Sequence, residues 1–221
     1  MFKLDAGAAR AADSKSAYIS EAGKYLGTFI RAEWMEKSAT GSTGLGLTFK
    51  SNDGAEAQFY INLSYQHGTK NDGGHAMLNA LMACLRLREI PDPTTITVEK
   101  WDKDAGQRVQ SQVPGFPVLM GKPVGILVQM EIEKNSEKGE PRPTLYAVFE
   151  AATEKTATEV LDGEKCKQPE RLAKMVELLV SKPLIDRRPR GSGNVPAPVS
   201  RGNAPEPRPA YANELDDDVP F

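Results

Sequence analysis

The stretch Leu45-Gly46-Leu47-Thr48-Phe49-Lys50-Ser51-Asn52-Asp53-Gly54-Ala55-Glu56-Ala57-Gln58-Phe59-Tyr60-Ile61-Asn62-Leu63 decides the fold. Leu45, Leu47 and Phe49 alternate with Gly46, Thr48 and Lys50. Ala57, Phe59, Ile61 and Leu63 alternate with Glu56, Gln58, Tyr60 and Asn62. A period of two marks strands with one dry face and one wet face. Asp53-Gly54 between them is a hairpin signal, because Gly readily takes the positive φ of a tight turn. The segment predicts two paired strands with an apolar inner face. Their outer face offers Thr48, Lys50, Gln58, Tyr60 and Asn62.

Toward the N-terminus, residues 24–36 read as another strand. Leu26, Ile30, Ala32 and Trp34 fall on one face, and Tyr25, Phe29, Arg31 and Glu33 on the other. The small residues 39–44 form a turn, so the three strands make a meander. Toward the C-terminus, residues 67–74 are a polar, Gly-rich loop. Leu78, Leu81, Met82 and Leu85 give residues 75–88 the spacing of an amphipathic helix, ended by Pro91 and Pro93. Residues 94–101 and 108–113 read as a hairpin around the turn 102–106. Val124, Ile126, Val128, Met130 and Ile132 alternate in a long strand, and Leu145, Ala147 and Phe149 in another. Leu172, Met175, Val176 and Leu179 line a second helix over 169–180. Phe49, Phe59 and Phe149 keep phase with aliphatic neighbours and belong to the core. A meander, a helix and further strands predict a mostly-β (α+β) body, an OB-like small Greek-key barrel with one or two packed helices. Such barrels bind oligonucleotides across one face and its loops. The expected division is an N-terminal arm over 1–23, the barrel over 24–182, a linker over 183–213 and an acidic tip over 214–221.

The 221 residues carry a net charge of −2. Residues 183–221 hold five Arg and six acids, which leaves 23 bases against 24 acids in residues 1–182. That balance excludes the strongly basic footprint of a duplex-DNA binder, and any nucleic-acid site must be a local stripe aided by stacking. Cys84 and Cys166 are far apart, and with His67 and His75 they match no zinc-finger spacing. No metal and no cofactor is expected. Cys84 sits in an apolar helical pattern, as a buried inert thiol would. No apolar run reads as a secretory signal or a membrane span, so a cytoplasmic location is expected.

From Pro183 the composition changes. Half of the chain's 16 prolines lie in 183–221, and with Gly191, Gly193 and Gly202 they read as a disordered linker. It ends in Glu214-Leu215-Asp216-Asp217-Asp218-Val219-Pro220-Phe221. Carboxylates are costly to bury unpaired, and eight such residues have too few apolar groups to fold alone. An acidic run before an aromatic reads as a ligand for another protein, with Phe221 as pocket anchor and basic residues taking the carboxylates. Pro220 stiffens the tip and lowers the cost of ordering it.

The six residues Asp216 to Phe221 resemble the C-terminal tip of bacterial and phage single-stranded DNA-binding proteins. In that family an acidic run precedes a branched apolar residue and Pro-Phe; Val219 takes the branched place here. The body lacks the N-terminal opening of the cellular proteins, so the likeness points to a divergent phage-type branch. It implies a chain that protects single strands during replication, recombination or repair and recruits partner proteins through Asp216, Asp217, Asp218, Val219, Pro220 and Phe221. In a phage-encoded protein the location is the host bacterial cytoplasm. Homo-oligomers are compatible with the sequence; a membrane partner is not expected.

Binding a single strand takes flat π-faces beside positive charge. Tyr60, out of phase with its apolar neighbours, stands with Lys50 and Arg31. Trp101 lies between Lys100 and Lys103 at a hairpin tip, and Trp34 lies near Arg31 and Lys37. Lys70, Lys138 and Arg142 sit on loops that could close over a strand. For each aromatic the competing role is core packing. Two other functions fit less of the chain. A recombination accessory or adaptor would use the body to bind protein. A nuclease would hold Mg²⁺ on Glu131 and Glu133 or on Asp102 and Asp104. Those carboxylates are interleaved with Lys, no phosphate-binding Gly-rich motif occurs, and two histidines give little to build a triad from. No enzymatic activity is expected.

Overall fold

A computed structural model describes residues 18–37, 41–102, 106–165 and 170–189, excepting the side chains of Lys37, Trp101, Asp102, Arg108 and Glu164. The strands are β1 (Gly23–Lys37), β2 (Ser42–Ser51), β3 (Glu56–Ser64), β4 (Thr94–Asp102), β5 (Gln107–Gly115), β6 (Pro123–Ile132), β7 (Arg142–Phe149) and β8 (Leu184–Asp186). The helices are α1 (Asp72–Cys84), α2 (Ala157–Asp162) and α3 (Arg171–Ser181). The body is mostly β, as the alternation predicts. Among the described residues every ladder is antiparallel except the one between β8 and β6.

The long strand β1 bends and serves two neighbours on one edge. Its first half pairs with β6, from Gly23↔Val128 to Thr28↔Pro123. Further along, the single rung Glu33↔Gly115 ties it to β5. Its other edge pairs with β2, β2 pairs with β3, and β6 pairs with β7. β7 lies beside β3, although no ladder joins them among the described residues. The circuit β1-β2-β3-β7-β6-β1 is that of a small OB-type barrel, with the β4–β5 hairpin standing outside the ring. Helix α1 packs against both β3 and β7 and contributes Leu81 and Cys84 to the core.

That core contains Phe29, Leu45, Leu47, Phe49, Ile61, Leu119, Val124, Ile126 and Val128, each 5 % exposed or less. Phe29 and Phe49 meet edge to face with centroids 5.5 Å apart. Burying such a side chain stabilises the fold by about 1.5–3 kcal/mol. A second cluster sits on the other side of the sheet, where Leu172 and Leu179 of α3 cover Leu127 and Phe149. The helical spacing read from 169–180 is the stripe that makes this contact.

The expected phase of β1 is reversed in its first half. Phe29 is fully buried and Ile30 is exposed, whereas the alternation places them the other way round. A β-bulge between Phe29 and Arg31 explains the swap: Ile30 is an extra residue in the ladder to β2. Tyr25 therefore packs with the barrel core, and Leu26 packs with the outer cluster. Beyond the bulge the expected phase holds, with Ala32 and Trp34 inward and Arg31 and Glu33 outward.

Other elements extend past the expected bounds. Asn71 caps α1 by accepting the Gly74 N–H at 3.2 Å, so this helix starts three residues before the expected 75. Ile19 is buried and donates its N–H to the Glu56 carbonyl at 2.9 Å, which runs residues 18 and 19 beside β3. β8 lies after Pro183, and the Arg187 N–H reaches the Ile132 carbonyl at 3.0 Å, so described body continues into the stretch expected to be linker. Helix α2 is an addition. Its Glu159 takes the N–H and hydroxyl of Thr156 in a capping box and also the N–H groups of Glu170 and Arg171 at the start of α3. One buried carboxylate thereby ties two helix N-termini together. The tip, Asp216 to Phe221, and residues 1–17 lie outside the described residues. No described helix is long and apolar enough to cross a membrane.

Candidate nucleic-acid interface

The pleat that buries Ala32, Leu47 and Phe59 turns their neighbours outward. Arg31, Thr48 and Gln58 share one outward rung, and Glu33, Gly46 and Tyr60 share the next. Met35, Gly44 and Asn62 make a third. Lys50 and Glu56 pair across β2 and β3 at the far end, with Nζ 3.3 Å from the carboxylate. The face is thus polar and of mixed charge. Gly44 and Gly46 leave a trough along β2. Met35 closes over Gly46, and a Cβ on Gly44 would come within 2.8 Å of the Tyr60 ring. Tyr60 therefore lies across β2 rather than standing clear of it. Burial raises its phenol, against the opposing hydrogen bond with Ser42.

Glu33 is the centre of this face. It is 5 % exposed, yet it holds two cations. Arg31 pairs with one carboxylate oxygen, and Lys100 Nζ donates to the other at 2.6 Å. Burial alone would raise this carboxyl, but Arg31 and Lys100 hold it below the usual carboxylate range. Arg31 Nε is buried without a hydrogen-bond partner among the described residues. The bond from Lys100 reaches past β5, the strand with which β4 pairs among the described residues. Gly115 makes that approach feasible: an added Cβ would lie 2.6 Å from the Ala32 carbonyl oxygen. Sequence reading put Arg31 and Lys100 among the binding residues and missed the carboxylate between them. Its signal was present, since Arg31 and Glu33 are opposite charges two residues apart on one strand face.

Arg31, Lys50, Tyr60 and Lys100 are brought to this one face. The remaining candidates are not. Trp34 points to the opposite side, meets Phe116 edge to face at 6.1 Å and borders a groove of about 520 Å³ with Leu45, Leu63, Leu78 and Ile90. Lys70 is in the loop before α1 and pairs with Asp72 at 3.1 Å. Lys138 is exposed between β6 and β7, and Arg142, at the start of β7, reaches Glu133 at 3.2 Å. The backbone of Trp101 pairs with Arg108 on the hairpin, while its side chain and Lys103 lie outside the described residues.

The carboxylates weighed for a metal are engaged elsewhere. Arg187 Nε lies 2.5 Å from Glu131, and Arg142 takes Glu133. Among the described residues no cluster of His, Cys, Asp and Glu could hold a metal ion. Cys84 is buried, and burial pushes its thiol up to about 12. No protein-family model matches the chain, and no curated protein matches it either.

Proposed function

We propose that this chain binds and protects single-stranded DNA with little sequence preference, in phage DNA replication, recombination or repair within the host cytoplasm. Partner proteins are recruited through the acidic tip, Asp216 to Phe221. The observation that carries the reading is the outer face of β1, β2 and β3. In OB-type barrels this face and its loops take oligonucleotides. Here it gathers Arg31, Lys50, Lys100 and the Tyr60 ring. A body without surplus positive charge suits a ligand held partly by stacking on base faces, which every sequence offers.

A gel shift with oligo-dT against duplex of equal length tests the reading. The single strand should be retained and the duplex released as salt rises. Equal retention of both, or of neither, would remove the single-strand function. Magnesium-dependent loss of the oligonucleotide would replace it with a nuclease. Capture of a replication or recombination protein by a body that holds no DNA would replace it with an adaptor.

A further inference from the structure

The Arg31–Glu33–Lys100 group converges two cations on one anionic position, and that position is filled from within. We propose that Glu33 is an internal stand-in for a phosphodiester: it occupies Arg31 and Lys100 in the strand-free protein and gives them up when a backbone phosphate arrives, so that strand binding takes up a proton. The inference rests on the single-strand function proposed above and adds a gate to it.

The geometry supplies each part. Lys100 is 37 % exposed in its side chain and Arg31 21 %, whereas Glu33 is 6 % exposed. An incoming phosphate meets the two cations from solvent and the carboxylate lies beneath them. The planar guanidinium can turn a second edge to a phosphate, and among the described residues Arg31 Nε has no hydrogen-bond partner to lose. Once Lys100 turns outward, Glu33 is a buried carboxylate with fewer cations, which favours its protonated form. The other groups facing it do not replace that charge. β3 presents Tyr60 in the same rung, and β2 presents Gly46, with Lys50 further along and paired to Glu56. β5 presents Gly115, and β1 itself adds Met35 beyond Arg31. Among the described residues the hairpin is tied to β1 by the Glu33↔Gly115 rung, the Phe116 N–H to the Ala32 carbonyl and the Lys100 ion pair, so the exchange loosens one tie and leaves the two backbone bonds in place.

The sign follows from linkage. Glu33 has its lower affinity for protons in the free protein and its higher affinity in the complex, so binding strengthens as pH falls between the two. E33Q removes the competitor and the titration together. Fluorescence anisotropy with labelled oligo-dT should find E33Q tighter than the native chain by about tenfold at neutral pH, the equivalent of one pKa unit. The gap should close on acidification. Calorimetry of the native chain in two buffers of different ionisation enthalpy should register proton uptake on binding. Native-like affinity in a folded E33Q, or binding without proton uptake, overturns the gate. If E33Q does not fold, the calorimetry on the native chain decides alone. A native chain that holds no oligo-dT at any pH removes the single-strand function and the gate with it, whereas binding that is indifferent to pH removes the gate only.

Discussion

At the scale of single residues, Tyr60 and Glu159 make opposite kinds of prediction. Tyr60 reaches across Gly44 on the proposed binding face, so under the proposed function its ring would be a stacking platform that the barrel core does not need. Tyr60→Ala should weaken oligo-dT binding by about 1–3 kcal/mol, read from anisotropy titrations, with little change in the thermal midpoint. Lys50→Glu should weaken binding to every sequence and flatten the salt dependence by about 0.7 in slope for a lost phosphate contact. Unchanged titrations in both variants would move the DNA off this face. Glu159 is the contrary case, far from any binding role but holding four donors at the N-termini of α2 and α3. Burial alone would raise its carboxyl, and those hydrogen bonds, those of Arg171 first, hold it below its ordinary value. A carboxyl depressed in the folded state stabilises above its unfolded value, and that stability is lost as pH falls through the folded value. Glu159→Ala should cost about 2 kcal/mol near neutral pH by urea unfolding, a deficit that shrinks on acidification.

At the scale of elements, the hairpin of β4 and β5 depends on close approach at Gly115. Gly115→Val would push a branched side chain into Ile96 and the Ala32 carbonyl. The expected cost is about 1–3 kcal/mol of stability from overpacking, with loss of the Lys100–Glu33 pair and of its effect on binding. Retained stability and unchanged binding would show the hairpin to be an independent flap. This is also the scale at which the sequence was most readable. β2 and β3 alternate strictly because one face is core and the other is not, and the structure keeps that register from Leu45↔Ile61 to Phe49↔Ala57. β1 carries the same signal, but counting in twos cannot see a bulge, so one inserted residue, Ile30, inverts everything before it. α2 is too short for a periodic stripe, yet Thr156-Ala157-Thr158-Glu159 has the spacing of a capping box and marked its start. β8 has three residues and exists through its pairing with β6, a contact no local pattern announces. The site was legible in part for the same reason: Arg31, Lys50 and Tyr60 follow from strand phase, while Lys100 joins them through a hairpin curl that only tertiary structure supplies.

At the scale of the whole molecule, the acidic tip belongs to the same chain as the cations it resembles a ligand for. Asp216, Asp217 and Asp218 are covalently joined to the body, which raises their local concentration at any basic stripe. Deleting residues 214–221 should tighten single-strand binding, most at low salt where screening is least, and leave the thermal midpoint unchanged. Phe221→Ala should abolish much of the partner binding and spare DNA binding, because the carboxylates remain. Weaker DNA binding after the deletion would mean that the tip helps hold DNA or the fold. The barrel itself has a mechanical asymmetry. Among the described residues ladders join the circuit at every seam except between β3 and β7, which lie side by side under α1 without pairing. A ring fastened that way is a split washer: strain from a ligand pulling on one wall is relieved at the cut. Amide hydrogens along the β3 edge that faces β7 should exchange with solvent through small local openings, while those of the β1–β2 ladder wait for global unfolding. Opening at that seam would break no described rung, so the β3 edge should loosen before any ladder does.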